Sequence, residues 1–117
     1  MIGLSGIKRF YLYRSSVDMR KSFRGLCGIV NNELKQDPMN GDGYVFINKR
    51  RTLIKILVWD RTGYVIYYKR LERGTIEIPT PGSNQLSIST LVMMLEGIKL
   101  TSIQHRKRYK SGVEIRA

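Results

Sequence analysis

The chain has 117 residues, of which 42% are hydrophobic and 26% charged, with a single cysteine and a formal net charge of +12 from 21 Lys+Arg against 9 Asp+Glu. That length suits one domain with its own core, and the composition excludes both a disordered chain and a disulfide-stapled scaffold. The positive excess is spread evenly over the first, middle and last thirds, so it belongs to the whole molecule and attracts polyanions, nucleic acid first among them.

Met1-Ile2-Gly3-Leu4 lacks the basic start and sustained apolar run of a signal peptide. The apolar stretches are strand-length, too short to span a bilayer. With Cys27 the lone thiol, the expectation is a cytoplasmic protein with no membrane association.

Phe10-Tyr11-Leu12-Tyr13 reads as a short strand. Ser16 or Asp18 is then placed to cap a helix. From Met19 the apolar residues Met19, Phe23, Leu26, Cys27, Val30 and Leu34 fall on one helical face. Arg20, Lys21 and Arg24 lie off it. Gly25 and Gly28 weaken this helix by about 1 kcal/mol each relative to alanine. Asp37-Pro38 ends it, and Asn40-Gly41-Asp42-Gly43 is a turn. A second strand, Gly43 to Ile47, leads through the basic connection Asn48-Lys49-Arg50-Arg51-Thr52 into the most distinctive stretch of the chain.

That stretch, Leu53 to Gly74, holds two apolar runs joined by Asp60-Arg61-Thr62-Gly63. Asp at the first and Gly at the fourth turn position suggest a three-residue hairpin loop with Gly63 in the left-handed region. The implied register sets Asp60 opposite Tyr64, Val58 opposite Ile66 and Ile56 opposite Tyr68 on one side. On the other, Trp59 faces Val65, Leu57 faces Tyr67 and Lys55 faces Lys69. Like charges directly opposed destabilise a strand pair. An anionic partner would justify them, and replacing one lysine with glutamine should stabilise the free fold slightly.

Thr75-Ile76-Glu77-Ile78-Pro79 alternates as a further short strand, and Thr80 to Gln85 is a loop. Ser87 caps a second helix over Leu91, Val92, Met94 and Leu95, with Gly97 just past its end. The order β-α-β-β-β-β-α implies an α+β fold: an antiparallel β meander with helices packed on one face. Residues 1–101 are expected to form this single domain and 102–117 a basic C-terminal segment.

Convergent catalytic groups are missing from the pattern. Asp18 suits a cap, Asp60 a turn, and Glu72 a partner for Arg70 or Arg73. No three acids fall at strand positions that would gather metal ions. His105 stands alone in the basic tail, and Cys27 sits on the apolar helix face as a small hydrophobe. No glycine-rich phosphate loop is present, because Gly41 and Gly43 lack the following lysine and helix. No catalytic residue, metal ligand or cofactor is therefore assigned.

Several blocks do form a familiar set. Asp18-Met19-Arg20-Lys21-Ser22-Phe23-Arg24-Gly25-Leu26, Asp37-Pro38 with Gly43-Tyr44-Val45-Phe46, Ile54 to Tyr64, Tyr68-Lys69-Arg70-Leu71-Glu72-Arg73-Gly74 and Leu95-Glu96-Gly97-Ile98 occur in that order. Together they resemble the TnpB accessory proteins (Orf2) of the insertion sequence 66 family of bacterial transposable elements. Ser22 stands where that family usually has glycine, and Arg24 where it has an acid. The resemblance implies a small non-enzymatic protein acting beside a separate, larger transposase that carries the acidic catalytic triad. The family is unrelated to the RNA-guided nucleases that share its name.

The expectation is thus a DNA-binding accessory of transposition, engaging element ends or the synaptic complex. Its partners would be DNA, the element-encoded transposase and a sister accessory protein; a homo-oligomer is compatible with the sequence. The alternative is a subunit that binds the transposase or sister protein without direct DNA recognition. Candidate nucleic-acid contacts are Lys49, Arg50 and Arg51 in the basic connection, and Lys55, Trp59, Tyr67 and Lys69 on one hairpin face. Arg70, Arg73, Arg20, Lys21, Arg24, Arg106, Lys107 and Arg108 complete the set. Trp59 and Tyr67 could equally serve as buried packing residues.

Overall fold

The computed structural model describes residue 4 and residues 6–100. The basic segment 102–117, with Arg106, Lys107 and Arg108, lies outside the described residues. The elements are β1 (Phe10–Leu12), α1 (Phe23–Asn32), β2 (Gly43–Ile47), β3 (Leu53–Asp60), β4 (Gly63–Arg70), β5 (Gln85–Leu86) and α2 (Ile88–Leu95). Class and element order are those implied by the sequence.

Three features of the assembly differ from the expected meander. The strands form one sheet in the order β4-β3-β2-β1-β5, and β1 runs parallel to β2 while the other pairs are antiparallel. A parallel neighbour needs a crossover, and residues 13–42, carrying α1, supply it. The segment Thr75–Pro79 is not a strand; Ile76 instead donates its amide to the Arg51 carbonyl at 2.7 Å. The fifth strand is the two-residue Gln85–Leu86, paired to β1.

The helices also cover opposite faces rather than one. On the first face Leu26 and Val30 of α1 pack with Val17, Tyr44, Phe46 and Leu57. On the second, Leu91, Met94 and Leu95 of α2 pack with Phe10, Leu12, Val45, Ile47, Ile54, Ile56 and Val58. The cause is visible in the strands. All five residues of β2 are buried, as are Ile54 through Val58 of β3. A strand apolar on both sides needs cover on both.

The helix caps differ from each other. Ser87 accepts the Thr90 amide at 3.1 Å and starts α2 as expected. Gly97 follows the helix at φ +69. At α1 neither Ser16 nor Asp18 is the cap, and the helix starts at Phe23, four residues after Met19. Asp18 folds the chain into a turn instead. Its carboxylate accepts the Arg20 amide at 2.9 Å and its carbonyl the Lys21 amide at 3.0 Å. Side-chain competition of this kind is why Asp favours turns over helix interiors.

Gly43 opens β2 where the backbone passes close to β1. A Cβ there would lie 2.6 Å from Cδ1 of Phe10. Gly28, in the middle of α1, faces open space. Gly43→Ala should therefore cost about 1–3 kcal/mol through overpacking, while Gly28→Ala should gain up to about 1 kcal/mol from helix propensity. Thermal and urea melts of the two variants check this, and shifts of the same sign would contradict it.

Candidate nucleic-acid interface

The hairpin is present, but its register is shifted by one residue from the expected one. Asp60 pairs with Gly63, Trp59 with Tyr64, Val58 with Val65, Leu57 with Ile66, Ile56 with Tyr67, Lys55 with Tyr68 and Ile54 with Lys69. The loop is two residues long, not three. The left-handed position is taken by Arg61, at φ +54, and not by Gly63. Side chains alternate along a strand, so a one-residue slip moves each β4 side chain to the other face.

The expected face of Lys55, Trp59, Tyr67 and Lys69 therefore does not exist as a unit. Lys69 and Tyr67 lie on the α2 side. Lys69 reaches Glu96 at the end of α2, at 3.6 Å. Trp59 stays on the α1 side, half-buried at the hairpin tip, with its ring edge-on to Tyr64 at a centroid distance of 5.0 Å. Tyr64 is half-buried, and desolvation, then its hydrogen bond with Cys27, pushes its hydroxyl pKa up to about 12.

Lys55 is the residue that organises this side of the sheet. It is 6% exposed. Its Nζ donates to the carbonyl of Met19 at 2.8 Å and to that of Lys21 at 2.7 Å. The same ammonium lies 4.7 Å from the centroid of the Tyr68 ring. The opposition of two lysines is thus replaced by a cation resting on an aromatic ring, an attraction and not a repulsion. The carbonyls it holds are those of the segment that declines to be helical, fixing the Asp18–Ser22 loop against the sheet.

Around this anchor the fold gathers cations from three separate parts of the chain. Arg20 and Lys21 come from the loop that Lys55 holds, and both are exposed. Lys49 and Arg50 come from the β2–β3 turn. That turn is shaped by Asn48, whose side-chain oxygen accepts the amides of Thr52 and Leu53, each at 2.9 Å. The Arg51 amide closes it on the Asn48 carbonyl at 3.0 Å, with Arg51 at φ +59. Arg70 comes from the end of β4, paired with Leu53 and facing the same side as Lys55 and Tyr68.

A cleft of about 400 Å³ lies between the loop and the turn, lined by Ser16, Val17, Asp18, Met19, Asn48, Lys49, Arg50 and Leu53. Val17 ties its near wall to β2 by donating its amide hydrogen bond to the Ile47 carbonyl at 3.0 Å. Two of the cations at this corner are already paired. Arg20 makes a fork on Asp18, with NH2 to Oδ2 at 2.7 Å, and Arg70 meets Glu72 at 2.9 Å. The Arg20 hydrogen bonds hold the Asp18 carboxyl down at about 2.

Other proposed contacts fall elsewhere or have other partners. Arg24 is exposed in the first turn of α1, and Arg73 is exposed beyond β4. Arg14, not singled out in the sequence, ties the 79–84 loop to β1 through bonds to Asn84, Pro79 and Thr80. Tyr68 was also missed. It is 53% exposed, and the correct loop length was the signal that would have placed it opposite Lys55, in the position expected of Lys69. Among the described residues no group of three His, Cys, Asp or Glu side chains is arranged to hold a metal ion.

The fold is that of a basic α+β protein with cations gathered at one corner of its sheet. A family model described as IS66 Orf2 like protein matches residues 8–105, and the chain belongs to that family of insertion-sequence proteins. It is similar to the uncharacterized protein y4jC of Sinorhizobium fredii (strain NBRC 101917 / NGR234), 30% identical over 108 residues, covering 91% of this chain and 92% of that protein. A second protein of the same strain, the uncharacterized y4hO, is 32% identical over 92 residues, covering 77% of this chain and 80% of its own length. No solved structure matches.

The blocks that carried the family resemblance meet in space. Lys69 pairs with Glu96, and a Cβ on Gly97 would lie 3.2 Å from Cδ1 of Leu71. On the opposite side, Lys55 of the central block holds the Asp18–Leu26 block.

Two predictions follow from the anchor. Lys55→Gln should destabilise the protein, the reverse of what opposed lysines would give. Two charge-assisted bonds are lost, and a net cost of about 2–4 kcal/mol is expected, read as a lower urea midpoint. The second concerns acid. The Asp18 pKa is depressed in the folded state, so its contribution to stability is complete above the ordinary aspartate value of 3.8 and is lost as pH falls through about 2. Carboxyl NMR should show Asp18 titrating near 2, and Arg20→Ala should return it towards 3.8; an Asp18 titration already near 3.8 in the unsubstituted protein would contradict the clamp.

Proposed function

We propose that the protein is a non-enzymatic accessory of insertion-sequence transposition that binds DNA through the corner formed by Arg20, Lys21, Lys49, Arg50 and Arg70. Family membership supports the transposition role and a place beside the element's transposase. The observation that carries the DNA reading is the convergence of these cations from three chain segments on one side of the sheet. Surface cations scattered for solubility need no buried lysine to hold their loop in place.

The acids support the non-enzymatic part of the reading. Asp18 clamps Arg20, Glu72 pairs with Arg70, Glu96 pairs with Lys69, and Glu77 accepts the Leu100 amide at 2.7 Å. They are spent on separate structural contacts and do not converge. Phosphate contacts at the corner would position DNA without reading its sequence. Transposase and the sister accessory protein remain the proposed protein partners, in the cytoplasm.

One observation favours the alternative, a protein-binding subunit. Ile88 and Val92, one turn apart on α2, are 49% and 44% exposed. They lie on the far side of the sheet from the basic corner, so the two readings can be separated by mutation.

If the five cations each neutralise a phosphate, log affinity for duplex DNA should fall against log salt with a slope of roughly −4. Replacing Lys49 and Arg50 with alanine should reduce that slope by about 2 and weaken all duplex sequences alike. Fluorescence anisotropy with element-end and random duplexes measures both. Unchanged affinity and slope, with transposase co-purification lost on Ile88→Ser plus Val92→Ser, would favour the protein-binding reading instead.

A further inference from the structure

Tyr68 has an unusual setting for an exposed residue on an edge strand. Among the described residues β4 ends the sheet and pairs only with β3. One face of the Tyr68 ring rests on the buried Lys55 ammonium, 4.7 Å from its centroid. The side chain is nevertheless 53% exposed. A large exposed ring on a sheet edge would ordinarily be free to change rotamer. Here the cation attracts it from beneath, and that cation is itself fixed by the carbonyls of Met19 and Lys21.

The surroundings specify the chemistry of what would cover it. Arg70 is two residues on along the same face of β4. The Lys21 backbone is close by, since the ammonium under the ring also holds its carbonyl at 2.7 Å. Phe23, 45% exposed, begins α1 two residues after Lys21. An aromatic surface bordered by a cation on its own strand suits a flat apolar ligand that carries negative charge on its linkage. A base-paired nucleotide cannot offer its ring face except at a helix end, whereas an unpaired nucleotide can, with its phosphate reaching the adjacent cation.

We propose that Tyr68 is a stacking platform for an unpaired nucleobase, with Lys55 as its positioning residue, so that the corner prefers single-stranded extensions of a duplex to blunt duplex. This rests on the DNA-binding reading above and adds the structure of the DNA it takes. Tyr68 supplies the π-surface. Arg70, on the same face of the strand, holds the flanking phosphate. Base identity is not read, because every base has a face to stack.

The test uses the full chain and three DNA probes: a blunt duplex, the same duplex with a short thymidine overhang, and that overhang built from abasic sites. The last keeps the phosphates and removes the rings. The thymidine overhang should bind about 5- to 100-fold more tightly than the abasic one, the range expected of base stacking on an aromatic side chain. Tyr68→Phe should keep that preference. Tyr68→Ala should abolish it, bringing the thymidine overhang down to the affinity of the abasic one.

Equal affinity of the unsubstituted protein for thymidine and abasic overhangs would overturn the stacking proposal and leave the DNA-binding reading standing. Equal weakening of all three probes by Tyr68→Ala would also overturn it, by assigning the ring a role in the fold. Failure of the unsubstituted protein to bind any probe at low salt would overturn both. The wild-type comparison requires no variant, so the outcome does not depend on any substitution folding.

Discussion

The ammonium of Lys55 is the contact on which the α1 side of this protein depends. A lysine on a central strand, under a helix, faces a large cost in leaving water. It is retained because the chain supplies the Met19 and Lys21 carbonyls and an aromatic ring as partners. Those carbonyls are available only because Asp18 has turned the backbone away from helical geometry. One interaction thus sets the helix start, the path of the Asp18–Ser22 loop and the orientation of Tyr68.

The same constraint explains how a uniformly basic sequence acquires a defined basic corner. The charge excess is even along the chain, and sequence alone gives no reason for one cluster over another. Folding brings residues 16–19, which lead directly into Arg20 and Lys21, to one side of a cleft and Lys49 and Arg50 to the other, with Arg70 at the sheet edge. The Asn48 side chain performs for the turn what Lys55 performs for the loop. Each satisfies backbone groups that would otherwise require helix or ladder partners. Polar side chains here hold irregular backbone in place where the cations gather.

Much of the fold was legible in the residues, for identifiable reasons. Long apolar runs on either side of Asp60-Arg61-Thr62-Gly63 marked the hairpin, and Ser87 and Gly97 marked the ends of α2. The register was not legible, because it turned on a single backbone torsion. Gly63 is the natural candidate for a positive φ, yet Arg61 takes it, and the loop shortens by one. That exchanged Tyr67 for Tyr68 at the site and moved Lys69 to the other face. The parallel pairing of β1 with β2 and the two-residue β5 were equally hidden. Pairing partners leave no local periodicity, and two residues are too few to show alternation. The helix start was misplaced because apolar spacing continues back through Met19, while the ammonium that donates to the Met19 carbonyl and holds this segment out of the helix lies 36 residues away at Lys55.

The most direct test of the account is an amide-resolved NMR titration of the full chain with duplex carrying a single-stranded overhang. The account predicts that shift changes concentrate in residues 16–24, 48–53 and 68–70, the three segments joined by Lys55 and the cleft. Changes centred instead on Ile88–Leu95 across the sheet, or on Trp59–Tyr64 at the hairpin tip, would contradict it.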